Sequence, residues 1–216
     1  MQHAKGAYRA QSQQGEAMER HIERIFPSVV QISMVEGSQR LNRDLLRKIH
    51  QIRTEVPNSR PNSWIFPVYT TLDGADQLHQ LPEFAGLQQV ILREARSFAD
   101  ALRLSHADHP LRITDCWLNV YGLKDGQEIH QHANNVISGS YYAKAPPGCS
   151  GIMFHSPVAD TMLVPPYSEI NDLNSSAVEL PVREGMLVLF RSWLKHSVRP
   201  STTTEERISI SFNISM

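Results

Sequence analysis

The sequence predicts an α+β protein, mainly β, in which N-terminal helices support a C-terminal β-sandwich or barrel. Three observations carry this. Apolar residues recur at helical spacing in two stretches before residue 110. After residue 110 that spacing gives way to short alternating or apolar runs separated by Gly, Pro, Asn and Asp. With 216 residues, 41% hydrophobic and 20% charged, the chain suits one packed domain and is too apolar for wholesale disorder.

The elements follow in order. Residues 1–20 are polar and aperiodic, and are expected to form a flexible arm on a single domain spanning 1–216. Residues 21–110 are expected to give helical support, and 111–216 the β core. PSVVQISM, at about 26–34, reads as a first strand. Leu41, Leu45, Ile49, Ile52 and Val56 mark an amphipathic helix over about 40–57. VPNSRPNSWIFP is loop, being rich in breakers. Pro82 suits the first position of a second helix, whose apolar face runs through Leu87, Ile91, Phe98 and Leu102 to about residue 104. Seven strands are then expected at 113–122, 137–145, 151–156, 161–166, 185–192, 196–200 and 206–215.

Composition excludes several classes. A formal net charge of −1 gives no general attraction to nucleic acid or anionic membrane. Two cysteines, Cys116 and Cys149, cannot build a disulfide framework or a thiolate zinc site. No run approaches the ~20 apolar residues of a membrane span. Met1 to Glu19 has no apolar core of a secretory signal, so a cytoplasmic location is expected.

The last strand is the most informative. Ile208, Ile210, Phe212 and Ile214 alternate with Arg207, Ser209, Ser211 and Asn213. The apolar face must meet a core. The polar row faces either water or a polar cavity inside a barrel, and the strand alone does not decide. Ten His are present. His130 and His132 flank Gln131 just after a turn, and an extended backbone points positions i and i+2 to one side. His196 follows 64 residues later. Three imidazoles, or two with a carboxylate, form a normal ligand set for a divalent first-row metal. The other seven His read as solvated or core residues.

Four stretches occur in a telling order. Asn119 and Tyr121 share a strand face with Trp117. YGLKDGQEIHQH resembles the prolyl-hydroxylase pattern Y-x-x-G-x-x-x-x-H-x-D, SGSYYAKAPPGCSGIMFHSP its following strand pair, and REGMLVLFRSWLKHSVRPSTTTEERISISFN its closing segment. Arg207 lies eleven residues beyond His196. Residues 113–215 therefore resemble the 2-oxoglutarate/Fe(II)-dependent oxygenase superfamily, and more narrowly its small bacterial and phage members.

The resemblance implies a double-stranded β-helix (jelly-roll, cupin-like) barrel. It implies Fe(II) on His130, His132 and His196, with 2-oxoglutarate and O₂ as cosubstrates. Arg207 and Ser209 match the residues that hold the cosubstrate's distal carboxylate. Asn119 and Tyr121 match the N-x-Y that AlkB-type dealkylases place beside it. Tyr142, Trp193 and Asn213 are candidate substrate-pocket residues. The implied reaction oxidises a substrate C–H bond, with succinate and CO₂ as co-products. His132 departs from the pattern by standing where a carboxylate is usual, with Asp125, Glu128 and Asp160 as nearby alternatives. Two other readings stay open: a three-His cupin-type dioxygenase without 2-oxoglutarate, and a non-enzymatic metal- or carboxylate-binding barrel. The expected substrate is a small molecule or a protein side chain. No membrane or nucleic-acid partner is expected, and a homodimer is compatible with the sequence.

Overall fold

The computed structural model describes residues 20–159 and 163–216. The expected arm, apart from Arg20, lies outside the described residues, as do Asp160 and the start of the strand expected at 161–166. Among the described residues, ten strands form two antiparallel sheets. The larger has the order β1 (Val30–Met34), β8 (Met186–Arg191), β5 (Ile137–Lys144), β10 (Arg207–Ser215), β3 (Arg112–Tyr121), β2 (Tyr69–Thr70). The smaller has the order β4 (Gln127–His130), β9 (His196–Val198), β6 (Ile152–His155), β7 (Ala177–Leu180). This is the double-stranded β-helix that the resemblance implies.

Two helices, α1 (Ser38–Glu55) and α2 (Ala85–Ala101), cover the outer face of the larger sheet. Leu45, Ile49 and Ile52 of α1 and Leu87, Ile91, Ala95 and Phe98 of α2 pack with Leu118, Ile137, Leu187, Leu189, Ile210 and Phe212 of the strands. Each helix is long enough to lay three turns of apolar stripe on the sheet. The second helix starts later than expected. Pro82 opens a 3-10 turn, Pro82–Phe84, and the α-helix begins at Ala85. Among the described residues, no helix is long and apolar enough to cross a membrane.

A second apolar cluster lies between the sheets, built from Tyr142, Ile152, Met186, Val188, Phe190 and Leu194. The adjacent Tyr141 and Tyr142 thus serve opposite faces of β5. Tyr141 donates to Asn42 Oδ1 at 2.5 Å under the helices, whereas Tyr142 points into the barrel. Gly185 sits at φ +79° at the entry to β8, and a Cβ there would strike the Ser38 side chain. The left-handed conformation and the close approach both require glycine.

Three strands were not foreseen: β2, β4 and β7. They have two, four and four residues, too short for a periodic signal. Conversely, Leu163–Pro166 carries no strand. Pro165 and Pro166 cannot donate to a ladder there.

Candidate metal and carboxylate site

Between the sheets lies a cavity of about 250 Å³. Its walls come from alternate residues of the strands. Trp117, Asn119 and Tyr121 come from β3, Arg207, Ser209 and Ser211 from β10, and His130 and His196 from β4 and β9. Arg207, Ser209 and Ser211 of the last strand's polar row therefore face the cavity and not water. Arg207, Ser209 and Asn213 are 3%, 2% and 6% exposed, which excludes a solvated face.

Sheet register brings the histidines together. Gln127 pairs with Val198, and His130 with His196, so β4 spends three residues where β9 spends two. That bulge turns His130 to face His196 directly, with ring centroids 4.2 Å apart. His132 lies beyond the end of β4. Its backbone N–H donates to Ser192 O at 2.9 Å, and its ring rests 5.6 Å from that of Trp117. One nitrogen from each of the three rings lies within 4.8 Å of the others.

The tautomers of two rings follow from their partners. His130 Nδ1 donates to Glu128 O at 2.8 Å, and His196 Nδ1 to Leu194 O at 2.9 Å. A carbonyl can only accept, so each Nδ1 carries the proton and each Nε2 presents a lone pair. His132 Nε2 stands 3.3 Å from His196 Nε2. Two imidazole nitrogens each ~2.1 Å from one ion, roughly 100° apart, are separated by about 3.2 Å. The donor set thus fits a single metal ion. Burial keeps all three rings neutral. It lowers His130, it pushes His132 down to about 4 with help from neighbouring His130, and it holds His196 well below its ordinary value.

The carboxylates near the site are engaged elsewhere. Asp125 Oδ2 accepts from Gly122 N at 2.8 Å. Glu128 Oε1 accepts from Ile65 N and Phe66 N, tying the 57–68 loop to β4. Asp115 accepts from Thr114 Oγ1 at 2.9 Å and Asn213 Nδ2 at 3.1 Å. No Asp or Glu among the described residues lines the cavity.

Arg207 lines the same cavity. Its Nη1 donates to Ser150 O at 2.8 Å and Gly151 O at 3.3 Å, while Nε is buried with no partner. Its guanidinium lies 4.1 Å over the Tyr121 ring and 5.5 Å from the Tyr142 ring. Glu206, its sequence neighbour, pairs with Arg53 at 2.8 Å instead. Among the described residues Arg207 has no carboxylate partner. A buried unpaired guanidinium is costly, and its fork geometry matches a carboxylate ligand. Burial raises the Tyr121 hydroxyl against the opposing pull of Arg207, and pushes Tyr142 up to about 12, so both remain protonated donors.

The other expected residues divide. Ser209 lies on the cavity wall beside Arg207. Tyr142 lines the cavity, its ring 5.5 Å from the Arg207 guanidinium. Asn119 lies in the wall, where its amide nitrogen donates to Thr70 Oγ1 at 2.8 Å and its oxygen accepts from Trp117 Nε1 and Ser211 Oγ, both at 3.1 Å. Its amide therefore fixes the indole of Trp117. Two candidates are not among the cavity residues. Trp193 is 44% exposed, and Asn213 is bonded to Asp115 and to Ser138 Oγ at 2.8 Å. Trp64 and Leu72, which do line the cavity, come from a breaker-rich region with no periodic signal to point to them.

A double-stranded β-helix thus encloses three convergent imidazoles and a buried arginine in one cavity. Residues 115–213 match the sequence profile of the family described as "Putative 2OG-Fe(II) oxygenase". The fold is shared with solved structures at low identity. A Pseudomonas putida prolyl-4-hydroxylase is 16% identical, with TM-score 0.59 over 87% of this chain and 92% of that one. AviO1 from Streptomyces viridochromogenes Tue57 is 16% identical, with TM-score 0.57 over 88% and 90%. HygX from Streptomyces hygroscopicus, solved with nickel, 2-oxoglutarate and hygromycin B bound, is 13% identical, with TM-score 0.57 over 87% and 83%. No curated protein matches the chain in sequence.

Proposed function

We propose that the protein is a 2-oxoglutarate-dependent dioxygenase that oxidises a C–H bond of its substrate, with succinate and CO₂ as co-products. The observation that carries this reading is Arg207, a buried guanidinium without a counter-ion in the same cavity as three neutral imidazoles. A dicarboxylate with a 2-oxo acid end needs both features together. Structural relatives support the cosubstrate, since HygX has been solved with 2-oxoglutarate and with iron.

His130, His132 and His196 would hold Fe(II), which supplies the O₂-activating redox chemistry when bound. Backbone carbonyls of Glu128 and Leu194 fix two of the rings so that Nε2 is available without prior proton loss. Arg207 anchors the distal carboxylate of 2-oxoglutarate, with Tyr121 and Tyr142 walling the guanidinium and keeping water from it. Ser209 stands on the same wall as a hydroxyl partner. Trp117, held by Asn119, closes the side next to His132.

The test is spectroscopic. Fe(II) followed by 2-oxoglutarate, without oxygen, is expected to give the visible charge-transfer band of the chelate. Arg207→Ala is expected to weaken 2-oxoglutarate binding roughly hundredfold while iron stoichiometry is kept. Iron-loaded protein that gives no band with 2-oxoglutarate, and whose activity and metal binding Arg207→Ala leaves largely intact, would support the three-His dioxygenase that needs no 2-oxoglutarate. Iron binding without turnover of any added substrate would support a binding barrel.

A further inference from the structure

We infer that the substrate of this site carries an anionic group, a carboxylate, that comes to rest beside the metal, and that His132 is the residue that selects it. This rests on the function proposed above.

The reasoning is a charge count. The cavity wall carries one fixed charge, the Arg207 guanidinium, and no Asp or Glu among the described residues. Asp115, Asp125 and Glu128 keep their charges and raise the rings nearest them, but they stand behind the wall, bonded to Asn213 and Thr114, to Gly122, and to the 65–66 backbone, and none reaches the cavity to meet the ion. A divalent ion on three neutral rings keeps its whole charge. With Arg207 the site then holds three positive charges, and 2-oxoglutarate neutralises two of them. A carboxylate in the place of His132 would close the balance. With His132 there, one positive charge stays buried among Trp117, Phe190 and Ile152. An unmatched charge is expensive in such surroundings, and a monoanionic group offered by the substrate removes that cost. A neutral or cationic substrate would leave it in place.

Cobalt(II)-loaded protein with 2-oxoglutarate, kept without oxygen, is titrated with azide and with benzoate while the visible cobalt bands are followed. Both are expected to bind the wild type. His132→Asp, which restores the negative charge, is expected to bind each roughly tenfold or more weakly. His132→Asn, which is neutral, is expected to stay within roughly threefold of the wild type. Benzamide, the neutral counterpart of benzoate, is expected to bind the wild type at least roughly tenfold more weakly than benzoate, and this arm stands even where a variant fails to hold cobalt. Equal affinities in wild type and His132→Asp, equal losses in both variants, or equal binding of benzamide and benzoate overturn the inference and leave the proposed function standing. Azide binding without benzoate binding also overturns it, pointing to a small inorganic anion instead. A wild type that gives no cobalt spectrum overturns the proposed function and this inference together.

Discussion

On one face of β10, Ile208, Ile210, Phe212 and Ile214 close the core beneath the helices, and on the other Arg207, Ser209 and Ser211 line the cavity. Burial hardly distinguishes the two faces. Ile210, Phe212 and Ile214 are 0% exposed, and Arg207 and Ser209 are 3% and 2%. What differs is how the side chains are satisfied. The apolar row is complete in itself, since its side chains carry no polar atom that needs a partner. The polar row has a donor left over, the Nε of Arg207. A strand with one finished face and one unfinished face divides stability from ligand binding within a single element.

The largest effect should come from the finished face. Phe212→Ala removes a fully buried ring from the core beneath the helices and is expected to cost about 3–5 kcal/mol of stability. Denaturant unfolding measures this, and affinity for 2-oxoglutarate in the still-folded fraction should not change. A variant that lost cosubstrate affinity but kept its stability would erase the distinction between the faces.

Arg207→Met is the opposite case. It takes away a buried cation that lacks a counter-ion, so the ligand-free protein should melt at the same temperature or higher. Cosubstrate affinity should fall by about 2–3 kcal/mol, measured by calorimetry on anaerobic metal-loaded protein. A lower melting temperature without ligand would show that the carbonyls of Ser150 and Gly151 already satisfy the guanidinium.

This division was partly legible in the sequence. Strict alternation in β10 exposed both rows, because a strand's side-chain period is two. The histidine pair and the distant third histidine were legible as a donor set, and Arg207 by its place eleven residues beyond His196. What could not be read depends on tertiary contacts. The β4 bulge that aims His130 is set by pairing with β9, 66 residues along the chain. Trp64 reaches the cavity from a loop pinned by Glu128, whose carboxylate takes two backbone N–H groups 62 and 63 residues away. Trp193 looked like a pocket residue because it precedes the distal histidine, yet it is partly exposed.

Asn213 tests a smaller effect on the polar row. It links Asp115 on β3 to Ser138 on β5, and Ser138 continues the chain to Ser192 Oγ at 2.8 Å. Ser192 O in turn holds the backbone of His132. Asn213→Ala leaves buried partners unmatched, so about 1–2 kcal/mol of stability should be lost. Metal affinity should fall by no more than roughly tenfold, because the network touches the ligand only through backbone.

The smallest effect concerns protons on the unloaded site. In the unfolded chain an imidazole takes up its proton near pH 6.5, whereas folded His132 resists protonation down to about 4 because it is buried beside His130. His130 and His196 are shifted in the same direction by burial. Below pH 6.5 the unfolded state therefore binds more protons than the folded state, and stability falls as pH falls. The decline should run from pH 6.5 toward 4 and level off where His132 itself protonates. Buried His79 is shifted the same way and adds to the slope, so the informative quantity is the difference between wild type and His132→Gln. Between about pH 7 and pH 5, above the ordinary carboxylate range, the urea midpoint of metal-free wild type should fall further than that of His132→Gln. Metal should steepen the wild-type slope, because the same lone pairs then hold an ion that protons must displace. Parallel slopes for wild type and His132→Gln would mean that His132 takes up its proton over the same pH range folded as unfolded, and the buried neutral ring described above would no longer hold.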